Sequence, residues 1–111
     1  MGDNIADETA LLGYMHGRAH RPDSARNTLR RLDQLEARGV YVSPLIRSWP
    51  YIGLGERDSA YWWLERAVQE QEPWLAYEHV LPAFDPLRGD PRYVALLRSL
   101  RTETGAGLSR R

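Results

Sequence analysis

The residues of this 111-residue chain that could do chemistry are few and scattered. His16 and His20 stand four apart, a spacing that on an unbroken helix would put two imidazoles on one face as metal ligands. Arg21-Pro22 follows at once, so His20 falls in a turn, and no glutamate completes an HExxH pattern. Both are expected to be packed or solvated side chains. His79 has no histidine neighbour in sequence and reads the same way. Glu70, Glu72, Glu78 and Asp85 supply carboxylates without the repeated spacing of a metal loop. Asp85 and Asp90 each precede a proline, where a turn or capping carboxylate belongs. Arg26 and Arg30, at i and i+4, could reach one phosphate, but no aromatic residues interleave with them for base stacking. The patterns G-x-S-x-G, P-loop and G-x-G-x-x-G do not occur, and Gly53-x-Gly55 reads as a turn between helices. With no cysteine, thiol nucleophiles, disulfides and cysteine-ligated zinc are excluded. The expectation is a non-catalytic chain with no metal site and no cofactor.

Composition sets the class. Fifteen basic and fifteen acidic residues cancel, which argues against a general nucleic-acid binder. No apolar run approaches the ~20 residues of a membrane span, and Met1–Leu12 lacks a basic start followed by an apolar stretch, so a cytoplasmic protein without a membrane partner is expected. Every basic residue is arginine, as GC-rich bacterial codon usage would produce. The charge is nevertheless uneven. His16–Arg38 carries six arginines against Asp23, Asp33 and Glu36, net +3; Glu56–Glu78 carries six acids against Arg57 and Arg66, net −4; Arg88–Arg111 carries six arginines against Asp90 and Glu103, net +4. Such segments are solvated helix faces or steer association with a partner or a second copy.

The elements that position these residues follow from a repeat. A shift of 35 superposes Asp23-Ser24-Ala25 on Asp58-Ser59-Ala60, then Leu29 on Leu64, Arg31 on Arg66 and Gln34 on Gln69. Gly13 and Ser48 share the same step, so small residues recur where two helices would cross closely. Ala60, Trp63, Leu64, Ala67 and Val68 form one apolar face of a helix, and Ala25, Leu29, Leu32 and Leu35 form a weaker one. Asp23 and Asp58 lie near the N-termini of these helices, where carboxylates can accept backbone N–H bonds. Earlier helices are predicted over Ile5–Arg18 and Pro44–Ile52, the second opened by the cap-and-proline pair Ser43-Pro44. Trp74–Val80 suits a short helix, Pro82 and Pro86 prevent a long one through Ala83–Leu87, and Asp90-Pro91 starts a last helix with Tyr93, Leu96, Leu97 and Leu100 on its apolar face. The tail 104–111 reads as frayed.

These residues resemble the tetratricopeptide repeat, a helix–turn–helix unit of about 34 residues. Gly13, Ala25, Ser48 and Ala60 match its small positions. Tyr41-Val42-Ser43-Pro44, Gly53-Leu54-Gly55-Glu56-Arg57-Asp58, Glu72-Pro73-Trp74-Leu75 and Phe84-Asp85-Pro86-Leu87-Arg88-Gly89-Asp90-Pro91-Arg92-Tyr93 look like the closing end of bacterial arrays of this family. The resemblance implies an all-α solenoid with two full units and a degenerate third, about 5–38, 41–72 and 74–103, in a single domain 1–103. It also implies a concave face that receives a peptide or partner protein, formed by Ala10, Tyr14, Leu45, Trp49 and Ile52. Two residues depart from the family's pattern. Pro50 falls inside a helix, where it removes a hydrogen bond at a cost of ~3 kcal/mol, so that helix is expected to kink or end near Trp49. Arg47 replaces an apolar residue. Trp62 and Tyr61 lie off the core face and either pack on a neighbouring unit or form an aromatic binding patch. The function expected is a protein-interaction module; the alternative is a self-associating unit, such as a homodimer, whose open ends are covered by another copy.

Overall fold

The structure is a computed structural model and describes residues 5–70 and 82–99. It contains α1 (Ile5–Arg18), α2 (Pro22–Ala37), α3 (Pro44–Leu54), α4 (Arg57–Gln69), a 3-10 helix (Pro82–Leu87) and α5 (91–99). Among the described residues there is no strand. The expected helix over Trp74–Val80 and the tail 104–111 lie outside the described residues.

Local chemistry explains the helix ends. The first three helices close in the same way, with one residue in the left-handed region whose N–H and that of its successor turn back onto the last turn. His20 (φ 62°) donates to Gly17 O and Arg21 to His16 O; Gly39 (φ 91°) donates to Glu36 O and Val40 to Leu35 O; Gly55 (φ 79°) donates to Ile52 O and Glu56 to Tyr51 O. His20 and Gly55 are one repeat apart. The Ser43 hydroxyl accepts from the Ile46 N–H at 3.3 Å and opens α3. Neither α2 nor α4 has a side-chain cap, so Asp23 and Asp58 act on the helix ends through the macrodipole alone. Pro82 and Pro86 confine their segment to six residues of 3-10 helix, and the Asp90 carboxylate accepts from the Arg92 N–H at 3.0 Å to start α5.

α1 packs on α2 and α3, and α3 packs in turn on α2, α4 and the 3-10 helix. The approach of α1 to α3 depends on missing side chains. A Cβ on Gly17 would run into the backbone of Gly53, and one on Gly53 would run into the backbone of Tyr14. Gly13 faces the Thr28 hydroxyl and the Pro50 ring. Gly53 therefore belongs to the helix, and only Gly55 makes the turn. Pro50 corrects the sequence reading most clearly: α3 continues to Leu54 with Pro50 inside it and completely buried. Its ring fills the space over Gly13, and this packing offsets the lost hydrogen bond. Three pairs of positions related by the repeat share their burial: Gly13 and Ser48, Ala25 and Ala60, Tyr14 and Trp49 are all inside. Phe84, Leu87 and Tyr93 join the same cluster from the closing end.

Candidate functional site

The five residues expected on a concave binding face are all in the core. Ala10, Tyr14, Leu45, Trp49 and Ile52 are each at least nine-tenths buried, within one cluster that also holds Phe84 and Leu87. The protein's own 3-10 helix packs on α3, on the helix that carries three of the five. These residues therefore pack the fold and present no open face. Burial pushes the Tyr14 hydroxyl above its ordinary range, with Arg18 opposing the shift and the Asp85 charge adding to it. The Trp49 indole N–H is buried with no hydrogen-bond partner among the described residues.

Polar side chains in and around this core are engaged in bracing it. Arg47 on α3, almost wholly buried, donates to Asp33 at 2.8 Å and to Glu36 at 2.6 Å, both on α2. Its guanidinium also lies 5.3 Å from the ring centre of Trp63 on α4, so one side chain ties three helices together. At the closing end Tyr61 donates to Asp90 at 2.8 Å, Arg57 donates to the same carboxylate oxygen at 2.9 Å, and Arg92 stacks 4.4 Å over the Tyr61 ring. The bond from Tyr61, then that from the Arg92 N–H, hold the Asp90 carboxyl below the usual range. Burial and the same bond push the Tyr61 hydroxyl far above its usual range. Arg92 also pairs with Asp58 at 3.1 Å.

What the fold leaves open lies on the other side of α1 and α2. An open groove of about 510 Å³ runs between them. Thr9, Leu12 and His16 line it from α1; Ser24, Asn27, Thr28 and Arg31 line it from α2. Among the described residues no carboxylate lines this groove. The Thr9 and Thr28 hydroxyls are turned back to Ile5 O and Ala25 O, and Arg31 supplies the groove's positive charge. Leu12 and Met15, three apart on α1, are 50% and 55% exposed. A second exposed apolar side chain, Trp62, stands edge-on to Trp63 at 4.8 Å and lies under Arg66 at 5.1 Å.

α1 ends at Arg18, so His16 and His20 do not share a helix, and among the described residues no three His, Asp or Glu side chains gather as a metal site. His79 lies outside the described residues. Among the described residues no helix is long and apolar enough to cross a membrane. Sequence reasoning missed the groove, although Leu12 and Met15, apolar residues off the buried face of α1, were the signal. No family model, curated protein sequence or solved structure matches the chain.

Proposed function

We propose that the chain is a non-catalytic protein-interaction module, a short array of helix pairs in the tetratricopeptide manner. It binds a partner protein through its exposed outer surface, since the residues expected to form a concave groove are consumed by packing. One observation carries this reading: large apolar side chains are left half in water beside an open groove, where their repeat-related counterparts Arg47 and Pro50 are buried. Isolated exposed apolar residues need no explanation, but adjacent ones rimmed by polar groups mark interaction surfaces.

The competing reading is end-to-end self-association, in which a second copy covers the open ends. Photo-crosslinking residues placed singly at Leu12, Tyr41, Trp62 and Val94, all exposed, test the interaction reading in source cells. The result expected is one recurrent protein adduct from at least one position. Products limited to the chain's own dimer would favour self-association, and no adduct from any position would overturn the proposal.

A further inference from the structure

The joint between the two helix pairs cannot be repeated on the open face of α1. It depends on Gly53, where a Cβ would run into the backbone of Tyr14, and one repeat back Gly53 corresponds to Arg18. A further pair stacking on α1 as α1 stacks on α3 would meet that arginine where a helix backbone has to pass. Arg47 and Pro50, which complete the contact, give way in the same step to Leu12 and Met15. What covers this face is therefore not another unit added in the same register. The face has the make-up of a helix-pairing seam. Glu8, Leu12, Met15 and Ala19 follow one another at steps of four, three and four, and all are exposed. They lie within an arc of about 60° on α1, turned away from the buried Ala6, Ala10 and Tyr14. Ala19 extends the helical bonding by donating to Met15 O at 3.0 Å.

Charge is graded along α1, with Asp7 and Glu8 in its first turn and Arg18 in its last. None of these three makes an ion pair among the described residues. The acids of α4, by contrast, are matched within the chain, Asp58 and Glu65 to Arg92 and Glu70 to Arg66. Asp7 and Arg18 are eleven residues apart, which puts them within about 20° of each other on one flank of the seam. We infer that this seam pairs with the same seam of a second copy, the two α1 helices running antiparallel about a two-fold axis between Leu12 and Met15. In that register Leu12 packs on Met15 of the second copy, and Arg18 meets the second copy's Asp7 and Glu8 on each side of the axis. A parallel pair would set Glu8 on Glu8 and Arg18 on Arg18. Arg31 belongs to α2 and lies outside the seam. Tyr41, Trp62 and Val94 lie on other parts of the chain and stay open to the partner proposed above.

The inference goes beyond the partner-binding reading, and the two fail separately. A monomer that still crosslinks to one recurrent protein would remove this inference alone; a dimer through α1 with no other protein adduct would remove that reading alone. Sedimentation velocity of the full chain is expected to show a monomer–dimer equilibrium with a Kd on the order of 10 µM, as suits a contact of one helix per copy. Leu12→Asp should leave the chain monomeric at every concentration. Arg18→Glu should weaken the dimer at least about tenfold, and adding Asp7→Arg with Glu8→Arg to the same chain should restore it. Leu12 and Arg18 are exposed, so far-UV circular dichroism should be unchanged by either single substitution. The chain has no cysteine, so Glu8→Cys and Ala19→Cys report the orientation. Mixed together, the two variants should form a disulfide with each other, and neither should form one with itself. A monomer throughout, a dimer indifferent to Leu12→Asp, or self-disulfides at 8 or 19 in place of the mixed one would each overturn the inference.

Discussion

Trp49 shows how a residue's chemistry and its place can point in different directions. An aromatic on the first helix of a repeat reads as a ligand anchor, but here the ring is 97% withdrawn from solvent among Tyr14, Leu45 and their neighbours. Trp49→Ala should cost about 3–5 kcal/mol, seen as a large drop in the urea midpoint, where a surface anchor would leave the midpoint alone. His20 carries a different kind of strain. It occupies the left-handed conformation that Gly39 and Gly55 adopt at the equivalent helix ends, and a side chain there crowds the backbone. His20→Gly is therefore expected to raise stability by about 0.5–1 kcal/mol by the same measurement, the gain limited by the greater entropy of glycine in the unfolded chain. The ends of α1, α2 and α3 were legible from sequence only in part. Glycine announces such a turn, whereas histidine does not, and of Gly53 and Gly55 only the second is used for it.

At the scale of elements, the join between the two helix pairs depends on Arg47 and on the glycines that admit it. The guanidinium is buried while its partners Asp33 and Glu36 are mostly in water, so the two sides of the contact are not equivalent. Arg47→Met removes the cation and leaves two carboxylates that water can solvate; its cost is expected to stay within about 1.5 kcal/mol. Asp33→Ala with Glu36→Ala strands the buried guanidinium and should cost about 3 kcal/mol, discounted where water can reach the group. Equal losses in the two unfolding curves would show that packing of the arginine stem, and not its ion pairs, holds the helices. The sequence marked Arg47 and Pro50 as departures from the repeat pattern it resembles, and the structure places each against a neighbour: Pro50 against Gly13, Arg47 against α2 and Trp63. A proline's local cost can be read from sequence. The partner that offsets it, 37 residues earlier in the chain, cannot.

Across the whole molecule the closing end is locked by one carboxylate, and that lock should give the protein a characteristic response to pH. Asp90 has its proton affinity lowered by the fold, so its contribution is present above the ordinary carboxylate range and is lost as pH falls through the lower folded value. Tyr61 has its proton affinity raised, so the neutral hydroxyl contributes fully below its ordinary value of 10.0 and the contribution is lost as pH rises through the folded one. Chemical unfolding across pH should show both limbs for the wild type, with Asp90→Ala lowering the plateau and flattening the acid limb; an unchanged acid limb would assign acid sensitivity to other carboxylates. Periodicity and proline placement determined from the sequence alone that the described residues are helical, near which residues their α-helices begin, and that small residues recur at a fixed step. Those are local properties, set by the spacing of side chains along one helix and by the few residues able to start or close it. Which apolar face would be buried and which left open was decided only by tertiary structure. α1 carries apolar side chains on two faces, Ala6, Ala10 and Tyr14 on one and Leu12 and Met15 on another, and the docking of α3 against Gly13 and Gly17 buries the first. Burial depends on what arrives from elsewhere in the chain, so the concave face inferred from resemblance became core and the outer groove became the surface available for binding.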